Sequence, residues 1–224
     1  MILDEEGLSL ARSVVLAASA AGRTLATAES LTGGLLGAMV TSVPGASLIY
    51  RGGVITYATD VKGTLGGVPA EVLDLHGAVA APTAEELAKG AARQCDADVG
   101  IALTGVAGPA VQEGQTPGTV WLGWAVKEGR SGAVLLHLSG SRAGIRAAAA
   151  RCALELALTL VQGEIPLHEP GADVVLDPAE AGVADDTFEV GVADDPSEGG
   201  TADDRCRGAA PNVAIDDSVE VAKE

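Results

Sequence analysis

Helix-like and strand-like segments alternate along the first part of this 224-residue chain, and this alternation constrains the fold most. Apolar residues recur at helical spacing up to Gly22, which suits a helix C-terminus. A short apolar strand at 24–28 follows, and a second amphipathic helix at 33–43 ends before Pro44. The order helix, strand, helix predicts an α/β fold in which the chain turns from strand to helix at Ser30.

The next segments continue the alternation. Residues 48–57 are rich in β-formers, and Gly52–Gly53 within them indicates a bulge or a close backbone approach. A short helix that contains Lys62 follows, and either Thr59 or Asp60 is its expected N-cap. A strand followed by a short helix is therefore predicted for this part of the chain.

Two more helices and a central strand come next. A helix is predicted for 70–76, after a proline and before a glycine, and the capping box Thr83–Glu86 predicts another that runs to about Gln94. Residues 99–104 form a continuous apolar run, which is typical of a strand buried on both faces. The glycine-bearing loop 105–109 that follows is expected to border a site.

An antiparallel hairpin and a long helix close the predicted domain. The strand-like runs 119–127 and 133–138 are joined by a short polar turn, and Ser141 is the expected N-cap of a helix at 142–162. We therefore predict one domain over 1–163. Its fold class is α/β, a three-layer α/β/α sandwich whose mixed, mostly parallel sheet carries the antiparallel hairpin.

The charge of the chain is concentrated in its last 61 residues. The formal net charge is −17, and 164–224 hold 17 acidic and three basic residues, which leaves only −3 for the rest. A Gly-Val-Ala-Asp-Asp segment at 182–186 recurs at 191–195, but it lacks the paired glycines of a calcium-binding repeat. Such a composition buries too little apolar surface to fold, so 164–224 are predicted to be a disordered acidic tail.

Composition also excludes several classes of function. Only 2% of the residues are aromatic and there is no basic stripe, which argues against nucleic-acid binding. The three cysteines (Cys95, Cys152 and Cys206) have neither disulfide nor metal-site spacing, so no metal is expected and a reducing cytoplasm fits. The first residues lack a basic export signal, and no apolar stretch is long enough for a membrane span.

The turn at Ser30 is the first candidate site, because Thr32, Gly33 and Gly34 follow it. Backbone N–H groups at a helix start are unpaired and lie at the positive end of the helix dipole, so they can hold an oxyanion or a phosphate. A serine hydroxyl beside such donors suits a hydrolytic site. Ser30 and Thr32 are also residue types that cap helices, and by residue type alone capping is the simpler interpretation.

Several motifs occur together in a fixed order. They are Thr27-Ala-Glu-Ser-Leu-Thr-Gly-Gly34, Arg51-Gly-Gly-Val-Ile-Thr-Tyr57, Lys62, His76-Gly-Ala-Val79, Thr104-Gly-Val-Ala-Gly-Pro109 and Gly118-Thr-Val-Trp121. With them, the chain resembles the nicotinamide-nucleotide amidohydrolases of the CinA C-terminal domain family over about residues 8–160. The acidic tail lies outside the resemblance.

The resemblance implies hydrolysis of the carboxamide of nicotinamide mononucleotide to nicotinate mononucleotide and ammonia. Ser30 matches the family's nucleophile and Lys62 its general base. A lysine amine is a base only where its ammonium form is destabilised by burial or by positive potential. The positive end of its predicted helix would destabilise it, Asp60 would oppose this, and the sequence does not decide which of the two dominates. Tyr57 is assigned a hydrogen bond to the pair or stacking on the pyridine ring, with ordinary packing as the alternative.

The resemblance also assigns residues to substrate binding. Thr104, Gly105 and Gly108 match the pocket at the end of a buried strand, where α/β sheets place ligands. Arg142 and Arg146 match arginines that can contact a phosphate, although surface charges are the alternative. No cofactor is required, the partner is a small nucleotide substrate, and a homodimer is common in the family.

Departures from the family pattern concentrate at 110–117, where the family has a glycine pair and then a lysine, and where one residue is missing here. Thr59 and Ser141 also replace an asparagine and an aspartate that are common in the family. A nucleotide- or phosphate-binding module without turnover therefore stays open, as does an interaction protein that acts through its acidic tail. The family's larger members carry an N-terminal domain linked to pyrophosphatase activity, which we expect to be absent.

Overall fold

The computed structural model describes residues 4–127 and 129–164 and the backbone of 173–174. The elements in chain order are α1 (Glu5–Ala21), β1 (Leu25–Glu29), α2 (Leu35–Thr41), a 3-10 turn (Ala46–Leu48), β2 (Tyr50–Ile55), α3 (Thr59–Thr64), α4 (Ala70–His76), α5 (Ala81–Cys95), β3 (Val99–Gly105), β4 (Thr119–Val126), β5 (Ser131–His137), α6 (Arg142–Val161) and the two-residue strand β6 (Asp173–Val174). None of the described helices combines the length and the apolar character that a bilayer crossing needs.

The strands form one mixed sheet in the order β2-β1-β3-β4-β5-β6. Strand β1 pairs in parallel with both β2 and β3. Strand β4 runs antiparallel to β3 and to β5, which confirms the predicted hairpin. Since the carboxyl ends of β1, β2 and β3 lie at one edge, the segments that follow these three strands converge there.

Helices cover both faces of the sheet, which confirms the three-layer α/β/α sandwich. Helices α1, α2 and α6 pack on one face, where the strands present large apolar side chains such as Leu25, Ile101 and Leu103. Helix α5 packs on the other face, and α4 packs against α5. There the strands present small residues, including Ala28 and Ala102.

Two glycines allow α5 to approach the sheet closely. A side chain at Gly100 would collide with the carbonyl oxygen of Ala88, and one at Gly123 would collide with that of Ala84. The sheet therefore has one face of large residues and one of small residues, and α5 lies close against the second. The predicted two-sided burial of the central strand is confirmed, since every residue of β3 before Gly105 is buried.

Most predicted helix ends are confirmed. Helix α1 ends at Gly22, α4 spans the predicted residues, and the Ser141 hydroxyl accepts a hydrogen bond from Gly144 N at the start of α6. The bulge at Gly52–Gly53 is also confirmed, because the β1–β2 register shifts beside Gly52 and a side chain at Gly53 would collide with the Thr27 hydroxyl.

Two predicted N-caps are wrong. Helix α5 begins at Ala81, with a proline in its first turn, and the Thr83 hydroxyl donates to the Gly77 carbonyl at 2.6 Å instead of capping the helix. Proline is favoured in a first helical turn because it has no N–H to satisfy, and here it sets the helix start. Helix α3 follows Ala58 without a side-chain cap, so neither Thr59 nor Asp60 caps it.

The acidic tail falls almost wholly outside the described residues. Within it, Asp173 and Val174 pair in parallel with Leu135 and Leu136 of β5, so these two residues extend the sheet. The predicted disorder of the tail, its repeat and Cys206 lie outside the part of the chain that the structure describes, and the disorder stays a prediction.

Candidate active site

Ser30 lies where the three parallel strands end. Its backbone N–H donates to the Leu103 carbonyl of β3 at 2.9 Å. On the other side, Thr56 N, just after β2, donates to the Glu29 carbonyl at 2.8 Å. The sheet edge therefore fixes the backbone of Ser30 from both neighbouring strands, at the place where open α/β sheets bind ligands.

Lys62 is in direct contact with Ser30. Its Nζ donates to Ser30 Oγ at 2.9 Å and to the Thr56 carbonyl at 2.7 Å. Lys62 is only 2% exposed and Ser30 7%, so this contact is shielded from water. The Thr56 carbonyl holds the amine in place, and Nζ is within proton-transfer distance of the serine hydroxyl.

Burial lowers the pKa of Lys62 to about 8, and the negative charge of Glu113 opposes this shift. At pH 7 roughly one Lys62 in ten is then neutral, about 300-fold more than for an ordinary lysine. Burial, one of the two causes considered, is thus the one that acts. The expected contribution of the helix start is wrong, because Lys62 lies in the last turn of the six-residue α3, away from its positive end. The opposing carboxylate is also Glu113 rather than the predicted Asp60.

A buried glutamate organises the turn after Ser30. The Glu29 carboxylate, on a residue 2% exposed, accepts hydrogen bonds from Gly34 N at 3.0 Å, Leu36 N at 3.1 Å and Gly37 N at 2.8 Å. These are the donors at the start of α2, whose N-cap is Gly34. Neither Ser30 nor Thr32 caps this helix.

The donors expected at Gly33 and Gly34 are therefore occupied. Gly34 N binds Glu29, and Gly33 N donates to the Ser30 carbonyl at 3.1 Å. Sequence reasoning missed Glu29, although a glutamate that ends a mostly apolar strand shortly before a helix is a usable signal, since a buried carboxylate needs donors.

Arg146 holds the same turn from behind. Its Nε donates to the Leu31 carbonyl at 2.9 Å and its Nη2 to the Thr32 carbonyl at 2.7 Å. Among the described residues, no acceptor meets the N–H groups of Leu31 and Thr32. The Thr32 side chain is fully buried and its hydroxyl has no partner in the described part of the chain. Arg146 therefore holds the turn in place. Its Nε and Nη2 both donate to carbonyls of the turn, so its geometry does not favour a direct phosphate contact.

A cavity of about 350 Å³ opens beside Ser30, which suits a small ligand. Its lining residues are Ser30, Leu31, Tyr57, Gly105, Val106, Ala107, Gly108, Pro109, Ala110, Val111, Gln112 and Arg142. Gly105 and Gly108 line it as expected, but Thr104 does not, because its buried hydroxyl donates to the Ala78 carbonyl at 2.6 Å. The loop 105–109 borders the cavity as predicted, although Val106, Ala107 and Pro109 were not singled out as individual lining residues.

Arg142 and Tyr57 bridge the mouth of this cavity. Arg142 Nη2 donates to the Tyr57 hydroxyl at 2.9 Å, and Nη1 donates to the Gly108 carbonyl at 2.7 Å. Tyr57 is 60% exposed, so it lies at the rim. Its hydroxyl contacts Arg142 rather than the buried Ser30–Lys62 pair. Arg142 places a positive charge at the entrance, where an anionic group of a ligand would meet it.

The segment that departs from the family pattern forms part of the cavity wall. Ala110, Val111 and Gln112 line the cavity, and the chain then turns back through a bridge between Gln112 and Gln115. The described residues contain no cluster of His, Cys, Asp or Glu that could hold a metal ion.

Comparison with known proteins shows where the chain belongs. The sequence model of the family described as "CinA C-terminal domain" matches residues 8–161. A "Putative competence-damage inducible protein" of Bacillus subtilis is 42% identical over 154 residues, which are 69% of this chain and 37% of that protein. One of Geobacillus kaustophilus is 50% identical over 126 residues, 56% of this chain and 30% of the relative.

Solved structures agree with this match. A CinA superfamily protein from Klebsiella pneumoniae has a TM-score of 0.68 at 32% identity and covers 70% of this chain and 98% of its own. The competence/damage inducible protein CihA from Agrobacterium tumefaciens has a TM-score of 0.67 at 32% identity, and the match covers 70% of this chain and 97% of that protein. The chain spans about a third of the length of the curated relatives it matches. With the family's motifs gathered at one sheet edge, the chain belongs to the CinA C-terminal domain family.

Proposed function

We propose that this protein is an amidohydrolase that converts nicotinamide mononucleotide to nicotinate mononucleotide and ammonia. The observation that carries the proposal is the buried 2.9 Å contact between Lys62 Nζ and Ser30 Oγ, at an amine whose pKa is lowered to about 8. A serine hydroxyl becomes a strong nucleophile when an adjacent base takes its proton. Lys62 is such a base in its neutral form.

The reaction proceeds in two halves. Neutral Lys62 takes the proton of Ser30 Oγ as the oxygen attacks the carboxamide carbon, and a tetrahedral oxyanion forms. The Lys62 ammonium then gives this proton to the departing nitrogen, so that ammonia leaves and an ester on Ser30 remains. Water, deprotonated by the same amine, opens the ester to the carboxylate and restores the serine. The Thr56 carbonyl keeps the amine beside Ser30 throughout.

The oxyanion is assigned to the N–H groups of Leu31 and Thr32. The other amides of the turn are occupied, since Ser30 N binds Leu103 and the start of α2 binds Glu29. Arg146 binds the Leu31 carbonyl, which belongs to the same peptide group as the Thr32 N–H. A positive charge on a peptide oxygen strengthens the N–H donor at the other end of that group.

The substrate phosphate is assigned to the cavity mouth. Arg142 supplies a guanidinium there, and Tyr57 beside it presents a ring that can stack on the pyridine. The reacting carboxamide then points inward to Ser30. The homodimer and the cytoplasmic location stay predictions.

Ammonia release from nicotinamide mononucleotide tests the proposal. We expect release by the wild type and its loss in Ser30→Ala and in Lys62→Ala. Lys127→Ala is the matched control, because Lys127 is 65% exposed and far from the cavity in the described part of the chain. Ammonia release that survives both active-site substitutions would contradict the mechanism.

Binding without turnover is the second candidate. The observation that favours it is the altered 110–117 wall, which carries Glu113 where the family has glycines and a lysine. Calorimetry that detects nicotinamide mononucleotide binding, with no ammonia formed over long incubation, would select this candidate.

A further inference from the structure

The wall segment 110–117 contains a tight turn, and Glu113 lies at the tip of this turn. Glu113 and Gly114 have φ angles of 50° and 76°, and Gln112 and Gln115 pair across them. This is the backbone of a two-residue hairpin turn. Because Ala110, Val111 and Gln112 directly precede the tip, its position determines where this wall of the cavity lies.

The Glu113 carboxylate attaches this tip to the segment between α4 and α5. Its Oε2 accepts hydrogen bonds from Ala78 N at 2.7 Å and Val79 N at 3.3 Å. The Ala78 carbonyl accepts from the Thr104 hydroxyl at the end of β3. Gly77 leaves room for the carboxylate, since a side chain there would lie 2.6 Å from Oε2. Glu113 is thus linked through Ala78 to the strand that borders Ser30.

Glu113 is also the carboxylate whose charge acts on Lys62. Asp60 lies two residues away on α3, but its charge is not among the causes that shift the pKa of Lys62. The Glu29 carboxylate is engaged with three amides of α2. The other acidic and basic residues on these helices are Glu71, Asp74 and His76 on α4, Glu85, Glu86, Lys89 and Arg93 on α5, and Arg142, Arg146, Arg151 and Glu155 on α6.

We propose that Glu113 is a positioning residue: its hydrogen bonds to Ala78 N and Val79 N hold the 110–117 wall in place and keep its carboxylate where its charge reaches Lys62. One carboxylate would then link the position of the substrate-facing wall to the proton affinity of the base. The kinetic consequences rest on the proposed function, whereas the effect on the Lys62 amine does not.

The first test measures Lys62 without turnover. The chain has four lysines, so NMR of ¹³C-lysine-labelled protein follows each amine against pH, with Lys62→Met for assignment. Glu113→Gln keeps an oxygen for the Ala78 amide and removes the charge, so we expect Lys62 to titrate at lower pH than in the wild type. Asp60→Asn is the matched control, and in this variant we expect the titration of Lys62 to stay unchanged. An unchanged Lys62 in Glu113→Gln, or an equal shift in Asp60→Asn, overturns the proposal.

The second test separates the wall from the charge. Glu113→Ala removes the hydrogen bonds, so we expect faster hydrogen exchange at Ala78 and Val79 and a KM raised about tenfold. Glu113→Gln should keep KM within about threefold while its rate profile moves to lower pH. Unchanged exchange in Glu113→Ala overturns the wall-holding role. If the wild type releases no ammonia, the proposed function fails, and the NMR and exchange results still decide the role of Glu113.

Discussion

The two walls of the cavity are built very differently. The turn wall, residues 30–34, is held by two charged side chains that lie behind it: Glu29 binds three amides and Arg146 binds two carbonyls. The loop wall, residues 105–117, is paired to neighbouring backbone at its two ends. In the described part of the chain, the side chains that hold it are those of Arg142, Glu113 and Thr116, and all three residues are exposed.

This difference separates chemistry from recognition. The nucleophile lies on the wall that the buried Glu29 and the half-buried Arg146 fix, so no side chain of the other wall is needed to hold it. The loop wall can change while the Ser30–Lys62 contact stays intact, and this chain departs from its family in that segment. Changes at the turn wall should therefore alter the rate of the chemical step and the stability, and changes at the loop wall should alter substrate binding. Glu113 is the exception on the loop wall, because its charge also acts on Lys62.

The largest expected effect is that of Lys62→Met. We expect activity to fall about 10³-fold, since the base is lost. The free energy of unfolding at pH 7 should rise by about 1–3 kcal/mol, because a buried ammonium is replaced by an apolar side chain. The pKa of Lys62 is lowered from 10.5 to about 8 on folding, so stability rises with pH between these values and the full cost is present below them.

Urea unfolding at pH 7, beside an ammonia assay, measures both effects. Lys127→Met is the control, and it should change the free energy of unfolding by less than about 0.5 kcal/mol. A Lys62→Met protein that is less stable than the wild type would show that the amine contributes to the fold rather than to the chemistry.

Glu29→Gln should destabilise the protein by about 2–3 kcal/mol, because an uncharged amide cannot accept all three hydrogen bonds at the start of α2. Urea unfolding measures this. Glu71→Gln, an exposed glutamate on α4, is the control and should be neutral. Equal stability of the two variants would contradict the view that Glu29 fixes the turn wall.

Arg146 and Arg142 lie one turn apart on α6 and contact different walls, so they form a matched pair. Arg146→Ala should lower kcat about 30-fold with little change in KM, because the Leu31 and Thr32 peptides lose their support. Arg142→Ala should raise KM about tenfold with a smaller change in kcat. Steady-state kinetics with nicotinamide mononucleotide measures kcat and KM for both variants. The same change of kcat and KM in both would contradict the proposed difference between the two walls.

The smallest expected effect is that of Tyr57→Phe. The ring stays and only the hydroxyl that binds Arg142 is lost, so we expect KM to rise about twofold to threefold and kcat to stay within about twofold. Steady-state kinetics measures both. If kcat instead falls by about a hundredfold or more, the Tyr57 hydroxyl takes part in the proton transfer.

Periodicity predicted most of the fold. The apolar run of β3, the β4–β5 hairpin and the Ser141 cap all depend on local patterns that the structure confirms. Local signals failed where two of them competed, as at the start of α5, where a proline and a threonine both suited a helix start. The bulge at Gly52 was predictable because glycines inside a strand have few other roles.

The site was less predictable, because its key contacts join distant residues. The Glu113–Ala78 hydrogen bond spans 35 positions and the Arg146–Leu31 bond spans 115. Neither separation follows from spacing or helix propensity, since both depend on how the layers pack. The motif order identified Ser30 and Lys62 as candidates. The sequence left open whether burial or a helix end would lower the pKa of Lys62, and only the packing of the layers shows that burial does.

The central claim is that neutral Lys62 activates Ser30, and the pH dependence of kcat/KM for ammonia release tests it most directly. The active form is the neutral amine, so activity should increase with pH. With a pKa of about 8, we predict a rise of about tenfold per pH unit below that value and a plateau above it. A kcat/KM that is constant from about pH 6 to about pH 9, or that falls as pH rises through this range, would contradict it.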